Sequence, residues 1–394
     1  MRFSRKPQRP LDLQKRFRRN WQTVEGQTFC NTTGAMTRAA QKAWPGEGPL
    51  TQEEVRMKKS VFFGALAATT LVSGMALAGT LDDVKARGEL LCGSNTGLTG
   101  FGNPDASGTW SGFDVDLCRA VAAAVLGDPN KVKFIPTTGE TRFTALQSGE
   151  VDLLVRNSTW TASRDSELAL DFVAVNYYDG QGFMVKKDLG VSSAKELDGA
   201  TVCIQTGTTT ELNLADFFKQ NNITYQPVTV ADDSEAQRQY LAGACDAYTT
   251  DASGLAASRA TMPDADTHII LPEIISKEPL GPVVRHGDNN WGDVVRWTYY
   301  ALLIAEEKGI TKDNVEEVLA STADEEVKRL LGASGDMGAK FGLDNAAFKN
   351  AISAVGNYGE IFARNIGEGT TINLARGLNA LWTQGGLQYA PPFR

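Results

Sequence analysis

From Thr80 onward, short apolar runs alternate with amphipathic stretches, and the alternation occurs twice. The first set reads ELLCGS, FDVDLCRAVAAAVLG, KVKFIPT, RFTALQSG and VDLLVRN. The second starts after Ala200 with TVCIQTG, TTELNLADFFKQNN, ITYQPV, SEAQRQYLAG and CDAYTTD, then SGLAASRAT. Strand, helix, strand, helix, strand is the order of a parallel sheet with helices on both faces. In the first long helix Cys118, Val121, Ala122 and Val125 fall at i, i+3, i+4 and i+7, one apolar face. Gly127 and Pro129 stop it. In TTELNLADFFKQNN, Leu212, Ala215 and Phe218 share a side, and Thr208 with Glu211 fits a capping box. YYDGQGFMVKK, with Gly180 and Gly182, and ISKEPLGPVVR, with Pro279, Gly281 and Pro282, read as crossings between two domains. Beyond about Asn290 the pattern is helical in WGDVVRWTYYALLIAEEKG, TKDNVEEVLAS and FKNAISAVGNYGEIFARNIG.

The segment before this alternation is of another kind. Lys58 and Lys59 precede an apolar run, Val61 to Ala78, that Thr69, Thr70, Ser73 and Gly74 interrupt. A spanning helix takes roughly 20 predominantly apolar residues. A basic start, an apolar middle and the end Ala76-Leu77-Ala78 are instead the parts of a secretory signal peptide. Residues 57–78 are therefore expected to be that peptide, cleaved after Ala78, and Gly79 in place of Cys gives no lipid attachment there. Residues 1–56 hold 11 Lys or Arg and 5 Asp or Glu. They read as a non-native or disordered extension, with translation starting at Met57; a genuine long leader is the alternative.

Removing residues 1–78 changes the charge. The chain has 39 basic and 47 acidic residues, of which that segment holds 13 and 5, leaving 26 and 42. Such an acidic balance argues against nucleic acid as a partner, because phosphate is neutralised by Lys and Arg. The remaining 316 residues make two domains the natural expectation. They contain Cys92, Cys118, Cys203 and Cys245. An even number in an exported chain suggests disulfides, with three connectivities possible. The pairing 92–118 and 203–245, one per domain, is the expected one, and buried free thiols are the alternative. No metal site is expected: CxxC is absent and the histidines, His268 and His286, are far apart.

In open parallel sheets, ligands bind beyond the carboxyl ends of the strands, and polar residues gather at those junctions. VDLLV runs into RNSTWTASRD, with Asn157, Ser158, Thr159, Thr161 and Arg164. TVCIQ runs into TGTTTE, DAYTT into Asp251 and LLCGS into NTGLTGFG. An Arg with hydroxyls and helix N-terminal amides suits a carboxylate; a lone Asp at another strand end suits an ammonium. Together they suit the two groups on the α-carbon of an amino acid, with Trp160 and Phe101 as apolar cover. Each residue also has a plainer reading. Arg164 could be a surface helix residue, Asp251 a helix cap, TGTTTE a capped helix start and Trp160 core.

With these stretches, the chain from about Thr80 to Phe393 resembles the polar amino-acid family of periplasmic solute-binding proteins of ABC importers. It is most similar to general or acidic L-amino-acid binders serving glutamate, glutamine, aspartate and asparagine. GFDVDLCRAVAAAV, RFTALQSGEVDLLVRNSTWTASRD, NYYDGQGFMV, QTGTTTE, CDAYTTD and PEIISKEPLGPVVR carry the resemblance. It implies that Arg164, in Thr161 to Arg164, holds the ligand carboxylate. Thr159 and Asn157 precede it, Thr209 helps from the GTT stretch beside Thr208, and Asp251 takes the ammonium. An aromatic position of the family falls on Leu98, with Phe101 nearby. Arg142 is either a partner for a side-chain carboxylate or an anchor of its helix.

The resemblance further implies an α/β, two-lobed type II periplasmic-binding-protein fold, each lobe a mixed, mainly parallel sheet flanked by helices. Lobe 1 would comprise residues 80–181 and 282–394, the latter with a C-terminal extension; lobe 2 would be 182–281, joined to it by two hinge strands. The implied protein is periplasmic and monomeric, takes an L-amino acid in the cleft, serves membrane permease subunits, needs no cofactor and is not an enzyme. The rival readings are a dehydratase-like periplasmic enzyme on the same scaffold, with Asp251 or Glu140 as acid or base, and the sensing module of a receptor. No G-x-S-x-G or Walker-type loop supports an enzyme.

Overall fold

The computed structural model describes residues 79–394; the expected signal peptide and residues 1–56 lie outside the described residues. Strands β1 (Leu90–Asn95), β2 (Val132–Thr137), β3 (Leu153–Leu154) and β4 (Leu170–Phe172) come first, with helices α1 (Phe113–Leu126), α2 (Arg142–Gln147) and α3 (Ala162–Ser166) between them. A short strand β5 (Tyr177–Asp179) leads to β6 (Gln181–Lys186), β7 (Ala200–Gln205), β8 (Tyr225–Val230), β9 (Ala247–Asp251) and β10 (His268–Ile270). Helices α4 (Thr209–Gln220), α5 (Asp233–Leu241) and α6 (Ala252–Ala260) connect these. Strands β11 (Glu278–Leu280) and β12 (Val283–Arg285) bring the chain back, and α7 (Asn289–Glu307), α8 (Ala347–Val355) and α9 (Tyr358–Asn365) follow.

Two five-stranded sheets result, in the orders β2-β1-β3-β12-β4 and β8-β7-β9-β6-β10. β1 is parallel to β2 and β3, and β7 is parallel to β8 and β9. β12 runs antiparallel to β3 and β4, and β6 antiparallel to β9 and β10. The strand entering each sheet from a crossing thus points against the others. That departs from the all-parallel order of the alternation alone and agrees with a mixed, mainly parallel sheet. β5 and β11 pair with each other, Glu278 opposite Asp179, as the two crossings lie side by side. Gly281 is needed there: a Cβ would meet the Ala174 carbonyl oxygen at 2.0 Å.

Helix α1 is buried on almost every side, including Asp114 and Asp116, because it lies among the first sheet, α7 and α8. Cys92 on β1 is bonded to Cys118 on α1, and Cys203 on β7 to Cys245 before β9. Each bond ties a strand to the element beside it.

Several local expectations shift. VDLLVRN is a strand only at Leu153–Leu154, because Asn157 turns the chain at φ 28°. On α4 the buried residues are Thr210, Leu214 and Phe218. Leu212 is 72% exposed, and Ala215 is exposed as well. The sheet selects this face: Phe218 stacks on Phe183 of β6 at 5.8 Å. No capping box forms at Thr208, whose hydroxyl donates to Gln205 O while Glu211 accepts from Gly207 N. FKNAISAVGNYGEIFARNIG is two helices, since Gly356 adopts φ 77° and Asn357 with Glu360 caps α9 anew.

The C-terminal segment runs over the lobe of the first sheet. Asn379 accepts from Tyr178 N at 2.7 Å and donates to Tyr178 O at 3.0 Å. Phe393 is buried against Trp297 and Phe348.

Candidate functional site

The loop after β3 is fixed on both sides. Asn157 N donates to the buried Asp114 carboxylate at 3.0 Å. Trp160 N donates to Pro279 O at 2.8 Å, and Gly281 N to Ser158 O at 3.0 Å. Residues 158–160 are therefore laid against β11. Thr161 caps α3 by accepting from Arg164 N. Arg164, 8% exposed, donates from Nη1 to Thr159 O at 2.9 Å. The guanidiniums of Arg142 and Arg164 stand 4.7 and 4.9 Å from the Phe143 ring centre. Burial lowers the Arg164 pKa to about 10, against the pull of Glu278 and Asp251.

The second sheet supplies the opposite wall. After β7 the chain turns at Gly207, φ 71°, so that Thr208 and Thr209 open α4 toward the first lobe. Thr209 Oγ1 lies 3.5 Å from Thr159 Oγ1, and Arg142 Nη2 donates to Gly207 O at 3.3 Å. On the rim, Asn95 Nδ2 donates to Asp233 at 3.2 Å. Asp251 ends β9 at the N-cap position of α6, yet its side chain makes no capping bond. Burial first, then the neighbouring Asp179, Glu278 and Asp233, pushes its pKa well above the carboxylate range. Asp179, the first of these neighbours, is itself raised to about 6, chiefly by desolvation.

Arg142, Asn157, Thr159, Thr208, Thr209 and Asp251 together line one cavity of about 20 Å³ between the lobes. That is one water-sized space, far below the roughly 300–1,000 Å³ of small-molecule sites. Arg164 is not part of this cavity's lining, though the charges of Glu278 and Asp251 act on it.

Three expected residues lie elsewhere. Trp160 stacks on Phe172 at 6.0 Å and lines a separate cavity of about 280 Å³ with Tyr178, Tyr300 and Tyr389. Phe101 is core, edge-on to Phe113 and Tyr177. Leu98 faces Ser234 and Gln237 of α5 in another small cavity.

Nothing in the sequence singled out Glu278 or Arg156. Glu278 joins Thr159 of the loop after β3 to Thr209 of α4. Its Oε2 accepts from Thr159 Oγ1 at 2.6 Å and Thr209 Oγ1 at 2.9 Å. Its Oε1 accepts from Asn213 Nδ2 at 2.7 Å and Ser276 Oγ at 2.5 Å. The two hydroxyls expected to serve a ligand carboxylate thus hold a carboxylate of the chain itself. A lone acid in a Gly/Pro-rich crossing carries no signal of this. Arg156 lines the cavity as well; it was legible only as the polar end of a strand.

Comparison with known proteins agrees with this architecture. Residues 90–355 match the model of bacterial extracellular solute-binding proteins, family 3. The chain is 74% identical over 338 residues to the glutamate/glutamine/aspartate/asparagine-binding protein BztA of Rhodobacter capsulatus, spanning 86% of this chain and all of that one. It is 58% identical over 342 residues to the general L-amino acid-binding periplasmic protein AapJ of Rhizobium johnstonii, with the same coverage. A solved periplasmic binding protein of an ABC transporter from Brucella ovis, with glutathione bound, superposes with a TM-score of 0.79 at 57% identity. That match covers 80% of this chain and all of the other.

Proposed function

Since this chain belongs to the bacterial extracellular solute-binding proteins, family 3, we propose that it captures L-amino acids in the cleft between its lobes, outside the cytoplasm, and delivers them to the membrane permease of an ABC importer. Glutamate, glutamine, aspartate and asparagine are the foremost ligands, as in the name of the relative from Rhodobacter capsulatus. The protein acts as a monomer and binds without catalysing a reaction. Residues 80–181 with 282–394 form one moving body and 182–281 the other, with the paired β5 and β11 between them. Arg164 takes the α-carboxylate with the Thr159 loop and the α4 N-terminus, where amides and helix dipole favour an anion. Asp251 takes the ammonium. Because these groups come from different lobes, the ligand binds the closed form better and so draws the lobes together.

The observation that carries this reading is the meeting of Arg142, Thr159, Thr209 and Asp251 on one cavity between the two sheets. Asp251 is buried, and among the described residues its side chain caps no helix amide, which leaves it for the ligand's ammonium. A thermal-shift screen against the common amino acids tests it. A ligand at a thousandfold excess over Kd stabilises by about 4 kcal/mol. Arg164→Ala should weaken glutamate about a hundredfold or more, for the loss of two charge-assisted bonds at roughly 1.5–3 kcal/mol each. Wild-type affinity in that variant would remove Arg164 from the site. The Brucella ovis neighbour makes glutathione a second ligand for the panel, because its γ-glutamyl end carries the same α-carboxylate and ammonium.

A further inference from the structure

Residues 356–394 lie beyond the stretch that matches the family model, and part of that segment is wrapped around the entry to β5. Tyr178 of β5 stands opposite Pro279 of β11. Proline has no N–H to donate, so Tyr178 cannot exchange a pair of ladder bonds there. Its N–H and C=O go instead to Asn379, whose Oδ1 accepts at 2.7 Å and whose Nδ2 donates at 3.0 Å. One side-chain amide thus does for Tyr178 what a third strand would do. The residues before Tyr178 are held by the same segment. Gln388, 2% exposed, donates from Nε2 to the Val175 and Asn176 carbonyls at 3.4 Å and accepts from Tyr299 Oη at 2.6 Å. Tyr358 Oη donates to Asn176 O at 2.9 Å. Asn379 is itself fixed. It is buried, and Arg376, paired with Glu306 of α7, donates to its carbonyl oxygen.

β5 is one of the two crossings, so what fixes it bears on the hinge. Beyond Tyr178 only Asp179 and Gly180 precede β6. Gly180 is packed so closely against the other crossing that a Cβ would collide with Ile274 Cγ2 and meet Ser276 O at 2.8 Å. Closed lobes therefore need β5 set in one place. We propose that Asn379 is a positioning residue for ligand binding: it braces β5, so that the lobes swing on the residues after Tyr178 and close in register. It does so without lining the cavity between the lobes. Without the brace, the Tyr178 N–H and C=O lose their partners and β5 samples more positions. A smaller share of the molecules is then competent to close, and apparent affinity falls by that share. The inference rests on the amino-acid reading of the cleft and adds to it a part of the chain outside the matched family pattern.

Calorimetric titration with L-glutamate and hydrogen exchange at the Tyr178 amide test this in residues 79–394, as wild type, Asn379→Ala and Leu378→Ala. Asn379→Ala should lose about fivefold or more in glutamate affinity and exchange the Tyr178 amide about tenfold or more faster. Leu378→Ala, whose side chain is turned to solvent, should keep both values within about twofold of wild type. A lower melting temperature in Asn379→Ala with glutamate affinity within about twofold of wild type overturns the proposal, because a merely structural residue changes stability and not closure. If Asn379→Ala does not fold, the wild type decides: a Tyr178 amide that exchanges as fast as an unprotected one in the ligand-free protein overturns the brace. A wild type that binds no amino acid overturns the amino-acid reading itself, which is a different result, and exchange at Tyr178 then decides the brace alone.

Discussion

Glu278 connects the lobes, and its removal can be predicted quantitatively. β11 lies in the crossing at the end of the 182–281 segment and is pinned to the first lobe through Trp160 N to Pro279 O and Gly281 N to Ser158 O, so in the proposed motion Glu278 stays with Thr159 while the rest of that segment moves. What leaves is α4, and with it the bonds from Thr209 at 2.9 Å and Asn213 at 2.7 Å. A hydrogen bond to a charged group contributes roughly 1.5–3 kcal/mol. Two such bonds favour the closed form by about 3 kcal/mol at the low end, or roughly a hundredfold, since 1.4 kcal/mol is a factor of ten. Relief of the carboxylate's desolvation in Glu278→Ala takes back part of this. The expected loss of L-glutamate affinity is thus about ten- to a hundredfold in Glu278→Ala. Glu278→Gln keeps the shape but trades charge-assisted bonds for neutral ones about half as strong, and should lie between. Calorimetry gives the affinities, and melting of the ligand-free proteins separates closure from folding. Tighter binding in either variant would refute the reasoning: Glu278 would then compete with the ligand's own carboxylate for Thr159 and Thr209.

Two further outcomes follow from buried groups. Asp251 must be ionised to hold an ammonium, and its pKa is raised, so glutamate affinity should fall as pH is lowered, read by calorimetry over a pH series. A pH-independent affinity would exclude Asp251 from that role. Asp114, raised to about 6 by burial, works on stability in the opposite sense. The folded state keeps this proton to higher pH than the unfolded chain, so its contribution is fully present below about pH 4 and lost as pH rises through 6. The disulfide Cys203–Cys245 spans 42 residues, and Cys203→Ala with Cys245→Ala should cost roughly 3–4 kcal/mol, measured as a lower denaturant midpoint with the cleft's ligand preference retained.

The sheet elements were legible because each carries its own period. Cys118, Val121, Ala122 and Val125 mark α1 wherever it packs, and the polar residues after each strand mark the cleft edge. The face of α4 was not legible, because TTELNLADFFKQNN allows two apolar sides. Only the sheet beneath selects Leu214 and Phe218 over Leu212 and Ala215. Trp160 shows the same limit: being next to Thr159 in sequence does not decide which way its ring turns, and it turns to Phe172. Glu278 and Arg156 reach the cleft through contacts between segments 65 to 119 residues apart, or through burial against the other lobe, and no local pattern records such contacts.

The most direct measurement is a crystal structure of the protein with L-glutamate bound. The account predicts one molecule between the lobes, its α-carboxylate on Arg164 and its ammonium on Asp251. A ligand held by one lobe only, or elsewhere on the surface with Asp251 untouched, would contradict it.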